Sequence, residues 1–380
     1  MNRRSNAPAL LLTAALALCL AGCEEDDATT GSQQAPVGAA GSAETGGTAA
    51  EANPQPANWP EKIPEESSTL GTGMISTIVG KMPPALVLGD ALIHPGETAH
   101  VGITLGRGFG STTIKNYPGR TVVITDAAGM TVHEGRTDDD GGIVFERKFD
   151  KVGTHFFRAA VDGKVEDTDV RPALFGVYVR QKSTPVVVCD LDKTLVQSGF
   201  LKVLIGVAKP FPHAAEVMHR VVNEKKITVL YLTHRNDFFD SMSKYWLREH
   251  GFPPGPLFTS DVAGLLEGSG KFKTSELARV KERFPNIRLA IGDKISDSNA
   301  YVANKVPSIL IPDVDWEKDK ADYWQERVAE MRTVNANVTV CRGWFEIEEA
   351  IFDGKSFPPG RLIDRLKEMA DFMTRTGDDD

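Results

Sequence analysis

A chain of 380 residues is longer than one typical domain and can bury more than one core. Its formal net charge of −9 favours neither nucleic acid nor electrostatic adhesion to anionic lipid. The sequence has no zinc-ligand spacing, no Gly-rich nucleotide loop and no serine nucleophile elbow, so those chemistries are set aside.

In chain order, Arg3 and Arg4 precede an apolar run from Ala7 to Leu20, too short and too poorly flanked for a stable membrane span. The run ends in Leu20-Ala21-Gly22-Cys23, which resembles a bacterial lipobox. That resemblance implies that residues 1–22 are a lipoprotein signal peptide and that Cys23 is diacylated and becomes the first residue. The rival reading is an ordinary signal peptide cut nearby, and the chain is exported in both. Glu24 rather than Asp follows the cysteine, which by the same resemblance implies the periplasmic side of an outer membrane. Residues 23–84 are rich in Ala, Gly, Thr, Pro and acids and are expected to be a disordered tether. A flexible chain of about 50 residues has an r.m.s. span of roughly 40 Å. Of the cysteines left after Cys19 and Cys23, Cys189 is expected to be a buried thiol beside the site, with a single bridge to Cys341 left open.

Residues 85–182 have a different texture. Short β-rich runs at Ala85–Ile93, Thr98–Leu105, Arg120–Thr125, Thr131–Glu134, Ile143–Phe149, Thr154–Val161 and Leu174–Val179 are punctuated by Asp, Gly and Pro. About seven strands in about a hundred residues predict an immunoglobulin-like sandwich. The acidic run Asp138-Asp139-Asp140 reads as a solvated turn, with Ca²⁺ binding the alternative. The unit is expected to space the remainder of the chain or to bind a partner, and no chemistry is visible in it.

The strand Val186-Val187-Val188-Cys189 then ends abruptly in Asp190-Leu191-Asp192. Alternate strand residues share a face, so both carboxylates can approach one centre as the chain leaves the sheet. A bare pair there is costly unless a cation or substrate is present, and open α/β sheets bind ligands at that end. Three further pieces follow in order. Thr233 ends a second apolar strand, Thr228–Leu232; it is a phosphate ligand or a plain helix cap. Lys271-Phe272-Lys273 opens a helical stretch, Thr274–Phe284, and Lys273 is preferred over Lys271 because it abuts that helix start. A third strand ends in Gly292-Asp293 and continues to Asp297, which is a site acid or the cap of a helix over Ser298–Asn304.

Asp-x-Asp-x-Thr-Leu after an apolar strand, with these three pieces in this order, resembles the haloacid dehalogenase superfamily, mostly magnesium-dependent phosphohydrolases. The resemblance implies a Rossmann-like α/β core with a parallel sheet over residues 183–380. It implies a Mg²⁺ held by Asp190, the main-chain carbonyl of Asp192 and Asp293, with Asp297 in the same acidic cluster. Asp190 would be the nucleophile and Asp192 the general acid and base; Lys273 and Thr233 would hold the transferring phosphoryl group. Thr194 would orient the nucleophile loop and contact substrate.

Within that superfamily, Tyr231-Leu232-Thr233-His234-Arg235 and Lys271-Phe272-Lys273 resemble lipins. Pro210-Phe211-Pro212 and His250-Gly251-Phe252-Pro253-Pro254-Gly255-Pro256-Leu257 resemble the yeast actin-patch phosphatidate phosphatase family. These likenesses imply a phosphate monoester substrate, phosphatidate the named candidate, with His234 and Arg235 as substrate contacts. Two departures are visible: His234 replaces a small residue, and Lys193 stands where Gly or Asp is usual.

The intervals between motifs hold a helix at Ala214–Lys225, a helix at Asp237–His250 and a strand at Leu257–Ser260, leaving no room for a cap domain. An uncapped site suits a large or surface-bound substrate, and Phe200–Val207 is either an apolar flap beside it or core. Beyond a strand at Ser308–Ile311, helices are expected at Asp319–Met331 and Arg361–Thr374, with Val338–Cys341 a possible extra strand. Trp316, Trp324 and Trp344 are expected to pack over the core, the alternative being that they shape a substrate groove. The function expected is that of a membrane-tethered phosphatase. The alternatives are an exported acid phosphatase for soluble phosphoesters and an inactive phospholipid-binding module.

Overall fold

The computed structural model describes residues 59–60, 83–109, 112–204 and 206–377. The signal peptide, Cys23 and most of the expected tether lie outside the described residues.

The N-terminal strands are β1 (Ala85–Leu88), β2 (Ala91–Ile93), β3 (Glu97–Phe109), β4 (Thr112–Asn116), β5 (Thr121–Asp126), β6 (Thr131–Arg136), β7 (Gly142–Phe149), β8 (Gly153–Val161), β9 (Lys164–Val165), β10 (Thr168–Asp169) and β11 (Ala173–Val179). In one sheet the long β3 pairs antiparallel with β1, β4 and β7. A second has the order β2-β11-β8-β5-β6, and β9 and β10 form a small hairpin. The two larger sheets share an apolar cluster including Val101, Ile103, Phe145, Val122, Phe157 and Phe175. The run expected as one strand, Ala85–Ile93, breaks at Gly89-Asp90: β1 pairs with β3, whereas β2 crosses to the other sheet and lies parallel to β11. The turn at Asp138 is tied by its own carboxylate, which accepts the amides of Asp140 at 3.0 Å and Gly142 at 2.7 Å.

The second unit comprises β12 (Val186–Cys189), α1 (Phe200–Leu204), α2 (Ala214–Asn223), β13 (Thr228–Asn236), α3 (Asp240–Glu249), β14 (Leu257–Ser260), α4 (Val262–Glu267), α5 (Ser269–Arg283), β15 (Ile287–Gly292), α6 (Ile295–Ala303), β16 (Ser308–Leu310), α7 (Ala321–Met331), β17 (Thr339–Val340), α8 (Trp344–Phe352) and α9 (Pro359–Gly377). Its six strands are all parallel in the order β14-β13-β12-β15-β16-β17. The chain starts at the centre with β12 and winds outward in both directions, so the carboxyl ends of β12 and β15 form the switch point. Alternation along β12 then divides the core. Val187 and Cys189 pack with α2, Trp246 and Trp344 on one face. Val186 and Val188 pack with Phe272, Leu277 and Tyr301 on the other.

That second face is also covered by the antiparallel unit. Leu92, Phe156, Leu174 and Tyr178 belong to the same apolar cluster as Val186 and Val188. Arg180, fully buried, donates to Thr228 Oγ1 at 2.9 Å, Gly153 O at 2.6 Å and Thr154 Oγ1 at 2.8 Å. Trp59, inside the expected tether, donates its Nε1 to Phe252 O at 2.9 Å and lies 5.8 Å from the Phe156 ring. Trp59 is thus docked, because an indole that can bury its ring and satisfy its N–H gains from both. The two units share one apolar cluster.

Among the described residues, only α1 and α2 intervene between β12 and β13, and only a short 3₁₀ turn at Asp237–Phe239, α3, β14 and α4 between β13 and α5. β16 is followed by β17, which lies within the extra strand expected at Val338–Cys341. Helix α8 was not foreseen. Trp324 and Trp344 are fully buried, whereas Trp316 is 42 % exposed. Among the described residues no helix is long and apolar enough to cross a membrane. Cys189 and Cys341 are both buried free thiols.

Candidate active site

Asp190 leaves the end of β12 with its backbone N–H bonded to Ile291 O at 3.0 Å, which fixes it beside β15. Its side chain is almost fully buried and meets Lys273 Nζ at 3.0 Å. Lys273 also lies 2.7 Å from Asp297. Carboxylate oxygens of Asp190, Asp293 and Asp297 all fall within 4.8 Å of one another. Burial, together with Asp297, raises the Asp190 carboxyl above its usual range, against the pull of Lys273. Burial and then Asp297 and Asp190 push Asp293 well above its own. Burial alone would depress the Lys273 ammonium, but the surrounding carboxylates hold it above the normal lysine value. Three buried carboxylates against one ammonium leave an excess of two negative charges. The donors are all hard oxygens, so the cluster fits a divalent cation such as Mg²⁺.

Sequence spacing explains the cluster's tightness. A Cβ on Gly292 would lie 2.7 Å from Asp297 Oδ2 and 2.9 Å from Asp297 Cβ, so only glycine lets that carboxylate return to the sheet. Asp297 does not cap a helix: α6 begins two residues earlier, and the side chain turns inward to Lys273. Helix α5 also begins earlier than expected, at Ser269. Lys273 therefore sits one turn inside it and buried, while Lys271 is exposed.

Asp192 is not in the acidic cluster. Its carboxylate receives Arg235 Nε at 2.8 Å and the NH2 nitrogen at 2.7 Å, a bidentate pair, and Arg235 donates its remaining nitrogen to Ser243 Oγ at 2.9 Å. Arg235 is 3 % exposed with its guanidinium 4.8 Å from the Phe200 ring, so its donors are committed to the protein. Thr233 is buried and lines the same cleft as Asp190, Asp192, Lys273 and Asp293. His234 donates Nε2–H to Gly264 O, 3.0 Å away, while lining the cleft, and burial lowers its imidazole below the usual value. Thr194 is fully buried and not in the cleft wall; its carbonyl accepts from Trp344 Nε1 at 2.8 Å, which anchors the loop. Lys193 has a left-handed φ of 54°, the conformation that suits Gly or Asp at this position, and it pairs with Asp313 at 2.8 Å. The Pro-rich segment before β14 is structural: a Cβ on Gly255 would lie 2.2 Å from Val229 O, and Tyr231 donates its hydroxyl to Pro253 O at 2.7 Å.

Six lining residues were not foreseen: Gly199, Asn236, Phe239, Leu265, Ser269 and Lys294. Asn236 had a legible signal as a cap before Asp237, and it does accept from Phe238 N at 3.1 Å. Helix α1 resolves the flap question in both directions. Phe200, Val203 and Leu204 are buried, while Leu201 is 52 % and Val207 57 % exposed.

A family model described as the LNS2 domain of PITM 1–3 matches residues 187–311, the segment that carries all four motifs. The match supports a lipin-like domain of phosphatase type for this third of the chain. No curated protein matches significantly. Among solved structures, a CARDB domain from Pyrococcus furiosus in complex with di-metal ions is 19% identical, with 26% of this chain and 90% of that one covered at a TM-score of 0.19. A conjugative transposon lipoprotein from Bacteroides eggerthii is 11% identical, with 25% and 96% covered at 0.17. A β-glucuronidase from Parabacteroides merdae is 10% identical, with 67% and 39% covered at 0.27. Scores this low carry no argument about this chain.

Proposed function

We propose that the chain is a Mg²⁺-dependent phosphatase of the haloacid dehalogenase type that hydrolyses a phosphate monoester through phospho-Asp190. The observation that carries this reading is the buried Asp190 held at 3.0 Å by Lys273 beside Asp293 and Asp297. When bound by Asp190, Asp293 and Asp297, the cation would offset charge between the carboxylates and the phosphate dianion. Asp190 Oδ attacks phosphorus and the ester P–O bond breaks. The leaving alkoxide takes a proton from Asp192, protonated on one oxygen while the other stays bonded to Arg235. Water then attacks phospho-Asp190 and gives its proton to Asp192, releasing inorganic phosphate and restoring Asp190. Thr233 and Lys273 hold the phosphoryl oxygens through both steps.

The substrate proposed is a membrane phospholipid, phosphatidate. Besides the match, what favours a lipid over a soluble ester is the rim of the cleft. Phe200 and Leu265 line it, and their sequence neighbours Leu201 and Leu266 are 52 % and 67 % exposed. Exposed leucines next in sequence to two lining residues are costly in water and suit an interface with lipid. An anchor at Cys23 would keep the site near such a surface. The test is phosphate release by the mature chain with Mg²⁺ from p-nitrophenyl phosphate and from phosphatidate in mixed micelles. Release from phosphatidate is expected. Release from the aryl ester alone replaces the lipid reading with a scavenging phosphatase, and release from neither removes the phosphatase. A Cys23→Ser variant should lose turnover of bilayer phosphatidate and keep that of the soluble ester.

A further inference from the structure

The interface between the two units contains a buried ionic group that the proposed chemistry does not use. Lys244 on α3 meets Asp90 at 2.8 Å and Asp240 at 2.5 Å, and donates to Leu174 O at 3.2 Å. The Asp90 side chain is fully buried and the Lys244 and Asp240 side chains are each 3 % exposed. Burial alone would depress the Lys244 ammonium; the two carboxylates outweigh it and hold it above its usual value. Asp90 sits at the break between β1 and β2, and its two oxygens accept one amide from each unit: Gly176 N at 2.7 Å and Leu257 N at 2.8 Å. One residue along from Lys244, Ser243 accepts from Arg235 at 2.9 Å, and Arg235 grips Asp192 with two bonds.

We propose that the β-unit positions the acid of the α/β unit: Asp90, through the Lys244–Asp240 pair, fixes α3, and α3 through Ser243 fixes Arg235 on Asp192. An ionic group this deeply buried is weak support for stability, because an apolar replacement often does as well. What it supplies is a single register between two surfaces, since a charge that slides out of place is left unpaired in a dry core. Here the registered element is the helix that backs the Asp192 clamp. The antiparallel unit is thereby a positioning part of the site rather than a spacer. The proposal rests on the phosphatase reading for the role of Asp192, but not for the geometry.

The experiment uses the full chain carrying Asp90→Asn. The amide keeps one accepting oxygen and turns an N–H against the second backbone donor. Displacement of Asp192 slows formation of phospho-Asp190 from an alkyl ester about tenfold more than from an aryl ester, because a phenolate needs less protonation. Merely structural damage lowers both equally by reducing the active fraction. Ser243→Ala, which leaves the inter-unit cluster intact, shows the same split to a smaller degree and serves if the first variant fails to fold. Hydrogen exchange in the Asp90→Asn chain is independent of turnover: residues 235–249 lose protection while β5 keeps it. Equal losses on both esters, or unchanged protection at 235–249, overturn the proposal. If the unaltered chain hydrolyses neither ester, the phosphatase reading falls and the exchange result alone decides this one.

Discussion

The two units bury their strands differently. In the α/β unit β12 is buried at every position and β13 at all but His234, the pattern of strands covered on both faces. In the antiparallel unit β7 buries only Phe145 and Phe149, and β6 buries none of its residues, because one face meets water. Strand β11 breaks that contrast: all seven of its residues are buried. Phe175, Val177 and Val179 enter the core of the antiparallel unit, while Leu174 and Tyr178 enter the core under β12. A strand in an antiparallel sheet that reads Ala-Leu-Phe-Gly-Val-Tyr-Val, without alternation, has no wet side. It marks the surface by which one unit is built onto the other.

The sharpest way to separate the units is to remove the chemistry and keep the fold. Asp190→Asn is nearly isosteric and takes one carboxylate from a cluster that has an excess of them. Turnover should fall by at least about a thousandfold, with the thermal midpoint at or above that of the parent. Chelation of divalent cation should abolish turnover of the parent reversibly. Retention of more than a few per cent of activity in Asp190→Asn would take the nucleophile role from this residue.

A smaller effect is expected at Arg180, which breaks the junction instead of the site. Its guanidinium donates only to neutral acceptors, and burial lowers it to about 10. Arg180→Leu removes the donors and leaves Thr228, Gly153 and Thr154 oxygens in a dry interface, for a loss of about 2–3 kcal/mol in denaturant unfolding. The transition should also split in two, because the shared core is weakened where the units meet. A single, unshifted transition would mean that the apolar contacts alone hold the junction. Trp59→Ala should cost about 2 kcal/mol, since this half-buried indole loses both its packing and its bond to Phe252 O. Protease should then cut near residue 59 faster than in the parent; equal rates would mean that Trp59 is not what holds this point of the chain.

Much of the α/β unit was legible because its information is local. Val186–Asp192, Gly292–Asp297 and Lys273 each carry their element and their chemistry within a few residues, and their order along the chain fixes the switch point. Pairings far apart in sequence were not legible. Arg235 was read as a substrate contact, yet it closes on Asp192 across 43 positions. Trp344 reaches the carbonyl of Thr194 across 150. Asp90 lay within what read as one continuous strand, and nothing near it in sequence announces Lys244. The strands of the antiparallel unit were found because alternation and turns are local too. Its docking was missed because continuous burial along β11 depends on a second unit that sequence periodicity does not see.

The smallest expected effect sharpens the reading of β11 as a strand with two dry faces. Tyr178 is fully buried, edge-on to Phe156 at 6.1 Å, and its hydroxyl has no hydrogen-bond partner among the described residues. Burial pushes its phenol well above the usual value, as expected of a group cut off from water. A hydroxyl in that position costs free energy without returning a bond, so Tyr178→Phe should raise stability by about 1 kcal/mol while leaving the ring contacts in place. Denaturant midpoints at neutral pH measure it, with the slope unchanged. Turnover of a soluble ester should not move, because the ring lies under the sheet and away from the cleft. A loss of stability of similar size would mean that the hydroxyl is bonded to a water in the junction, and that the second face of β11 is wetter than its burial implies.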